Sequence, residues 1–184
     1  MRIWLSIADG IDRFNEKLGR VACWLTLVMV LVASYNTLAR YLGKYLQHNI
    51  TSNALLETQW YLFSLIFLLG ASYTLKQDAH VRVDVIYDRL TAKGRAWINL
   101  LGCIFFLLPF CLFAIWTSLG PVRSSWEVLE VSPDPGGLLR YPIKTLIPIA
   151  FFLLVMQGIS FLIRQVSVLG GYAMEEPQAT EVEG

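Results

Sequence analysis

The sequence predicts an all-α integral membrane protein with four transmembrane helices and short amphipathic helices at the membrane surface. Three observations carry that prediction. The chain of 184 residues is 55% hydrophobic and only 16% charged, and its mean hydropathy of +0.53 is too high for an ordinary soluble domain of this size. Its apolar residues are gathered into four runs long enough to cross a bilayer, with the charges at the ends of those runs. Turn-forming clusters, above all Ser132-Pro133-Asp134-Pro135-Gly136-Gly137, separate the runs.

From Ile3 to Leu18, Trp4, Ile7, Ile11, Phe14 and Leu18 recur at three- and four-residue steps, with Asp9, Asp12, Arg13, Glu16 and Lys17 between them. This is the pattern of an amphipathic helix lying on the membrane surface or on a partner, and residues 1–20 are read as one such segment. Mixed residues after Arg2 do not fit a cleaved signal, so the first apolar run is expected to remain as an anchor. That first spanning helix, about residues 21–40, is free of charge from Val21 to Ala39 and ends in Ser34, Asn36 and Thr37 before Arg40. Asn36 and Arg40 are four apart and share a face, which points this end at protein rather than lipid. In the following connector Tyr41, Leu42, Tyr45 and Leu46 keep helical spacing, and Ser52 or Asn53 can cap the next helix.

The second spanning helix covers about residues 55–75. Its 18 uncharged residues from Thr58 to Leu75 rise about 27 Å, close to the thickness of a hydrocarbon core. Gly70, Ala71 and Ser72 offer a strip of small residues for close packing, and Trp60, Tyr61 and Trp97 suit interfacial depth. Lys76 to Arg95 carries five Lys or Arg and three Asp, and predicts a short interfacial helix. Thr91 can cap the third spanning helix, about residues 96–120. Its charge-free run from Ala96 to Val122 has 27 residues and must tilt, kink or protrude, with Pro109 as the kink site. Ser124 to Val131 predicts another short helix before the turn at Ser132. The fourth spanning helix, about residues 143–163, tolerates Pro148 near its start and offers Gln157 and Ser160 to a neighbouring helix. The membrane domain thus covers residues 21–165, and the acidic tail within 166–184 is expected to be disordered.

Ten Lys or Arg fall on one side of this topology and five on the other. The positive-inside rule then places both termini and the connector of residues 76–95 in the cytoplasm. A net charge of +1 gives no electrostatic case for nucleic acid. Cys23, Cys103 and Cys111 lie inside apolar runs, where they read as small hydrophobes rather than a disulfide or metal set. His48 and His80 fall on opposite sides of the second helix and cannot hold one haem within a monomer. No nucleophile with a neighbouring base, no metal-ligand spacing and no phosphate loop is present, so neither an enzyme nor a cofactor is expected.

What needs explaining is the polar rim. Asn36, Arg40, Glu57 and Gln59 lie near the outer face, and Arg82, Asp84, Asp88 and Arg89 near the inner one. Glu57 starts a spanning helix, where the positive end of the helix dipole favours an acid. Arg40 is expected at similar depth, and the two are expected to pair; a basic residue of a partner is the alternative.

Glu57-Thr58-Gln59-Trp60-Tyr61-Leu62-Phe63, the run from Phe67 to Leu75, and Asp78-Ala79-His80-Val81-Arg82-Val83-Asp84-Val85 together resemble the small, DctQ-type membrane subunit of tripartite ATP-independent periplasmic (TRAP) transporters. The resemblance extends over about Arg13 to Gln165 and takes in Ser132 to Gly137 and Tyr141-Pro142-Ile143-Lys144. It implies a bacterial inner-membrane protein bound to a large M-type permease subunit. It further implies uptake of an organic acid, delivered by a periplasmic solute-binding protein and driven by an ion gradient. On that reading the large subunit carries substrate and ion, and the small one stiffens its scaffold and widens its footprint among the membrane lipids. Asn36, Arg40, Glu57, Gln59, Trp60, Tyr61, Arg82 and Asp84 are then structural or interface residues. The competing readings are a membrane anchor of a respiratory complex, which a haem spectrum tests, and a self-associating small membrane protein, which would purify without partners.

Overall fold

The computed structural model describes residues 2–47, 51–77 and 90–171. Among these residues the chain is mainly helical, with four helical spans long and apolar enough to cross a membrane. Helix α1 is Arg2–Leu46 and α2 is Asn53–Lys76. The third span is built from α3 (Ala92–Gly102), a π-helical turn (Cys103–Leu107) and α4 (Leu108–Glu127), and α5 is Arg140–Leu169.

Helix α1 continues without a break through residue 20, where a surface helix was expected to give way to a spanning one. No proline interrupts residues 2–46, and three glycines, Gly10, Gly19 and Gly43, lower helix propensity without ending the helix. Its buried stripe is Ala8, Asp12, Asn15, Gly19 and Ala22, at alternating steps of four and three. Those residues are small or polar, whereas the apolar Ile3, Trp4, Ile7 and Phe14 are exposed. The amphipathic face is therefore turned outward. In lipid an apolar stripe gains nothing by facing another helix, and small or hydrogen-bonding residues take the interior instead.

Close approach occurs where glycine permits it. A Cβ on Gly19 would stand 2.4 Å from the Tyr73 ring of α2, and one on Gly158 of α5 would stand 2.9 Å from Leu107. Gly70 meets nothing within 4 Å, whereas Ser72 of the same strip is fully buried.

Ser52 caps α2 by accepting from the Leu55 amide, and Thr91 caps α3 by accepting from the Gly94 amide, both as expected. Pro109 stands just past the start of α4, and its distortion is absorbed by the turn before it. A proline lacks the amide for the i−4 bond and crowds that carbonyl. Across the π turn the Leu108 amide bonds to Cys103, five residues back, which loosens the helix where the proline ring needs room. Ser124 to Val131 is not a separate helix: α4 passes through Pro121 and runs to Glu127.

Residues 128–139 form a tight hairpin-like connector. Val131 and Leu139 make an antiparallel bridge, the Arg140 amide donates to the Glu130 carbonyl, and the Ser132 amide donates to the Leu138 carbonyl. Gly136, at φ +72, supplies the left-handed residue of the turn. Helix α5 packs against α1, α2 and all parts of the third span and is the central helix of the bundle. One end of the bundle gathers the start of α1, the end of α2 and the end of α5. The opposite, hairpin end gathers the start of α2, the end of α4 and the start of α5.

The expected interfacial helix within residues 76–95 falls largely on 78–89, outside the described residues, as do His48, His80 and the tail beyond 171.

Candidate functional site

Polar side chains concentrate at the two ends of the bundle. At the hairpin end, Glu57 sits one turn into α2 and is buried. Its carboxylate accepts from the Ser132 hydroxyl through one oxygen and from the Leu138 amide through the other. Ser132 accepts in turn from the Asp134 amide at 3.2 Å. Asn53 donates to the Pro135 carbonyl at 3.0 Å, and the Tyr61 hydroxyl donates to the Leu139 carbonyl at 2.8 Å. Three residues along one flank of α2 therefore hold the connector down at three points. A Cβ on Gly137 would lie 2.8 Å from the Glu57 carboxylate and 2.4 Å from Ser132, so glycine there leaves the room the carboxylate occupies.

The expected Glu57 to Arg40 pair does not form. Arg40 is exposed, and the carboxylate is already filled by loop donors, while the positive charge that acts on it comes from Arg140 at the start of α5. The expectation rested on equal depth, but depth does not fix direction around a helix.

Of the other expected residues, Asn36 is buried on α1, and its carbonyl oxygen has no hydrogen-bond partner. Gln59 bonds back to the Leu55 carbonyl of its own helix at 3.3 Å. Trp60 is exposed and meets Tyr61 edge-on with centroids 4.4 Å apart. Arg82 and Asp84 lie outside the described residues.

Beside the hairpin, Glu130 pairs with Lys144 and accepts from Ser125 at 2.6 Å. The Lys144 ammonium, followed by the Ser125 hydroxyl, holds the Glu130 carboxyl below the usual carboxylate range. Trp126 donates to Thr145 at 2.8 Å and packs edge-on to Tyr141.

The opposite end holds a larger network, in which the sequence had singled out Gln157 and Ser160 but not their partners. Asp12 accepts from Gln157 at 2.8 Å and Ser160 at 2.6 Å through one oxygen, and from Arg164 at 2.9 and 2.5 Å through the other. Asn15 donates to Gln157 at 2.6 Å, and Arg164 also reaches Asp9 at 3.0 Å. Nearby, Lys76 pairs with Glu16 at 2.8 Å and ties the end of α2 to α1. Gln157 and Ser160 thus serve a neighbouring helix, as their positions predicted. The signal for their partners was two matching stripes: Asp9, Asp12 and Asn15 on α1, and Gln157, Ser160 and Arg164 on α5, each at three- or four-residue steps.

Both constellations join helices to each other or to a connector. Among the described residues, no group of three His, Cys, Asp or Glu side chains is placed to hold a metal ion. Cys103 and Cys111 are buried free thiols, and Cys103 packs 3.6 Å from the Gly158 carbonyl.

Comparison with known proteins bears on what such a bundle serves. The model of the DctQ component of tripartite ATP-independent periplasmic transporters matches residues 29–168. A relative from Oleidesulfovibrio alaskensis, the isethionate TRAP transporter permease protein DctMQ, is 27% identical over 168 residues. That match covers 89% of this chain but 25% of the relative, so the chain spans about a quarter of that protein's length. No solved structure matches the chain. With its four helical spans and a family match over most of its length, the chain belongs to the DctQ component family of TRAP transporters.

Proposed function

We propose that the chain is the fixed scaffold subunit of its transporter: it binds a large M-type permease subunit, which moves the substrate. The observation that carries this reading is the DctMQ relative, whose name joins the two components in one permease protein and of which this chain matches a quarter. A Q-like segment covalently joined to a much longer remainder supports a tight, one-to-one association where the two are separate chains. The geometry agrees with a scaffold role. Its buried polar groups are spent on joining helices, and the hairpin is pinned at three points rather than free to move. A stationary element is what a sliding carrier domain needs.

On this reading the protein lies in the bacterial inner membrane with both termini cytoplasmic, supported by the excess of Lys and Arg at the amino-terminal end of the bundle. The hairpin then faces the periplasm, where a solute-binding protein delivers an organic acid for uptake driven by an ion gradient. Purification of the tagged chain in mild detergent, followed by mass spectrometry, tests the assembly. Recovery of a much larger membrane protein in equal amount is expected. Recovery of the chain alone or as a homo-oligomer, with uptake unaffected by its deletion, would overturn the scaffold reading.

A further inference from the structure

An apolar groove of about 450 Å³ runs between α2 and α5 at the hairpin end. Trp60, Phe63 and Phe67 line one wall, and Ile143 and Ile147 the other. Arg140 and Lys144 stand at its mouth. The two cations differ. Lys144 is paired with Glu130, whereas no guanidinium nitrogen of Arg140 has an acceptor among the described residues, and its Nε is buried. The acids nearest in the fold are already engaged, Glu57 by Ser132 and Leu138, Glu130 by Lys144 and Ser125. A charged donor fork left without acceptors at the edge of a membrane is costly, and a planar guanidinium is shaped to take two oxygens of a phosphate.

We propose that this groove binds a phospholipid, with its phosphodiester on Arg140 and one acyl chain along Phe63, Phe67, Ile143 and Ile147. Depth supports the assignment. Trp60, Tyr61, Trp126 and Tyr141 gather at this end of the bundle, the aromatic belt that marks the headgroup level, and Arg140 lies among them while the apolar walls run toward the bilayer centre. The second groove, about 600 Å³ beside the π turn, differs: it is lined by Leu75, Phe106, Phe110 and their neighbours without a charged residue, so it has nothing to select a headgroup.

The test uses the complex purified in mild detergent and placed in nanodiscs with phosphatidylglycerol carrying a diazirine on its acyl chain. Photolabelling mapped by mass spectrometry should fall on Phe63, Phe67, Ile143 or Ile147. Arg140→Gln should lower that labelling about tenfold, the loss expected for one charge-assisted pair, while labelling of Phe106 and Phe110 stays as in wild type. Ile147→Trp, which fills the groove and keeps Arg140, should lower it as well, so a folding defect in one variant does not decide the matter. Equal labelling in both variants would overturn the proposal, as would equally strong labelling by a diazirine diacylglycerol that lacks the phosphate. Loss of wild-type labelling whenever the large subunit is present would assign Arg140 to an acidic side chain of that partner instead.

Discussion

Replacing Asp12 by alanine is expected to release the start of α1 from the end of α5. Asp12 is 6% exposed and accepts four hydrogen bonds, two neutral ones from Gln157 and Ser160 and two from Arg164. Interhelical hydrogen bonds in membranes average about 0.6 kcal/mol, so the neutral pair contributes about 1.2 kcal/mol. The charged pair lies between two limits, because Arg164 is 43% exposed and keeps Asp9 as a second partner. Breaking a fully buried pair costs about 3–5 kcal/mol and an exposed one about 0–1 kcal/mol, which puts this one near 2 kcal/mol. The total for Asp12→Ala is then about 3 kcal/mol, and Asp12→Asn, which keeps an acceptor for Ser160, should lose about 2 kcal/mol. Unfolding of the protein in mixed micelles measures both. A double-mutant cycle with Arg164→Ala should return a coupling of about 2 kcal/mol. A loss below about 0.5 kcal/mol for Asp12→Ala together with zero coupling would refute the claim that this network joins the helices.

Gly19→Ala should be more damaging than Gly158→Ala, although both add one methyl group. The first collides with the Tyr73 ring and its Cβ, the second with the movable end of Leu107; losses of about 2–3 and about 1 kcal/mol are expected in the same unfolding assay. Gly137→Ala and Glu57→Ala should each free the connector, read as faster amide exchange at Leu138 and Ser132, with the helices intact. Glu130 makes the hairpin end sensitive to acid. Its carboxyl titrates lower in the folded protein than the unfolded value of about 4.3. Its contribution is therefore present above that value and fades as pH falls through the lower, folded one. Protease cleavage within residues 128–139 should rise at pH values below about 4, and Glu130→Gln should reduce the dependence.

Local chemistry made much of this fold readable. Ser52 and Thr91 cap the helices they precede because a cap needs only a hydroxyl and the next turn's amide. Pro109 marked a distortion because the ring acts on its own helix, although the sequence did not say that a π turn would relieve it. Gln157 and Ser160 were legible as interhelical contacts because polar groups within an apolar run need partners. What stayed hidden was the inward face of α1: amphipathic patterning laid Trp4, Ile7 and Phe14 on the membrane or a partner, and did not say that Ala8, Asp12 and Asn15 would be buried behind them. The partners of Glu57 were equally hidden. Ser132 and Leu138 reach it only because a Pro and Gly turn folds the connector back over α2, and nothing in residues 132–138 taken alone states which way they fold.

The attachment of the third span has a mechanical consequence. Residues 92–127 find their main packing partner in α5 alone, along a line marked by Cys103 on Gly158, Phe110 against Phe151, and Trp126 on Thr145. The span is a cantilever fixed along one edge. A neighbour pulling on its exposed aromatic flank, Phe106, Phe113 and Trp116, would bend it at the π turn before disturbing α1 and α2. The other three helices brace one another, so the molecule has one compliant border and one stiff one.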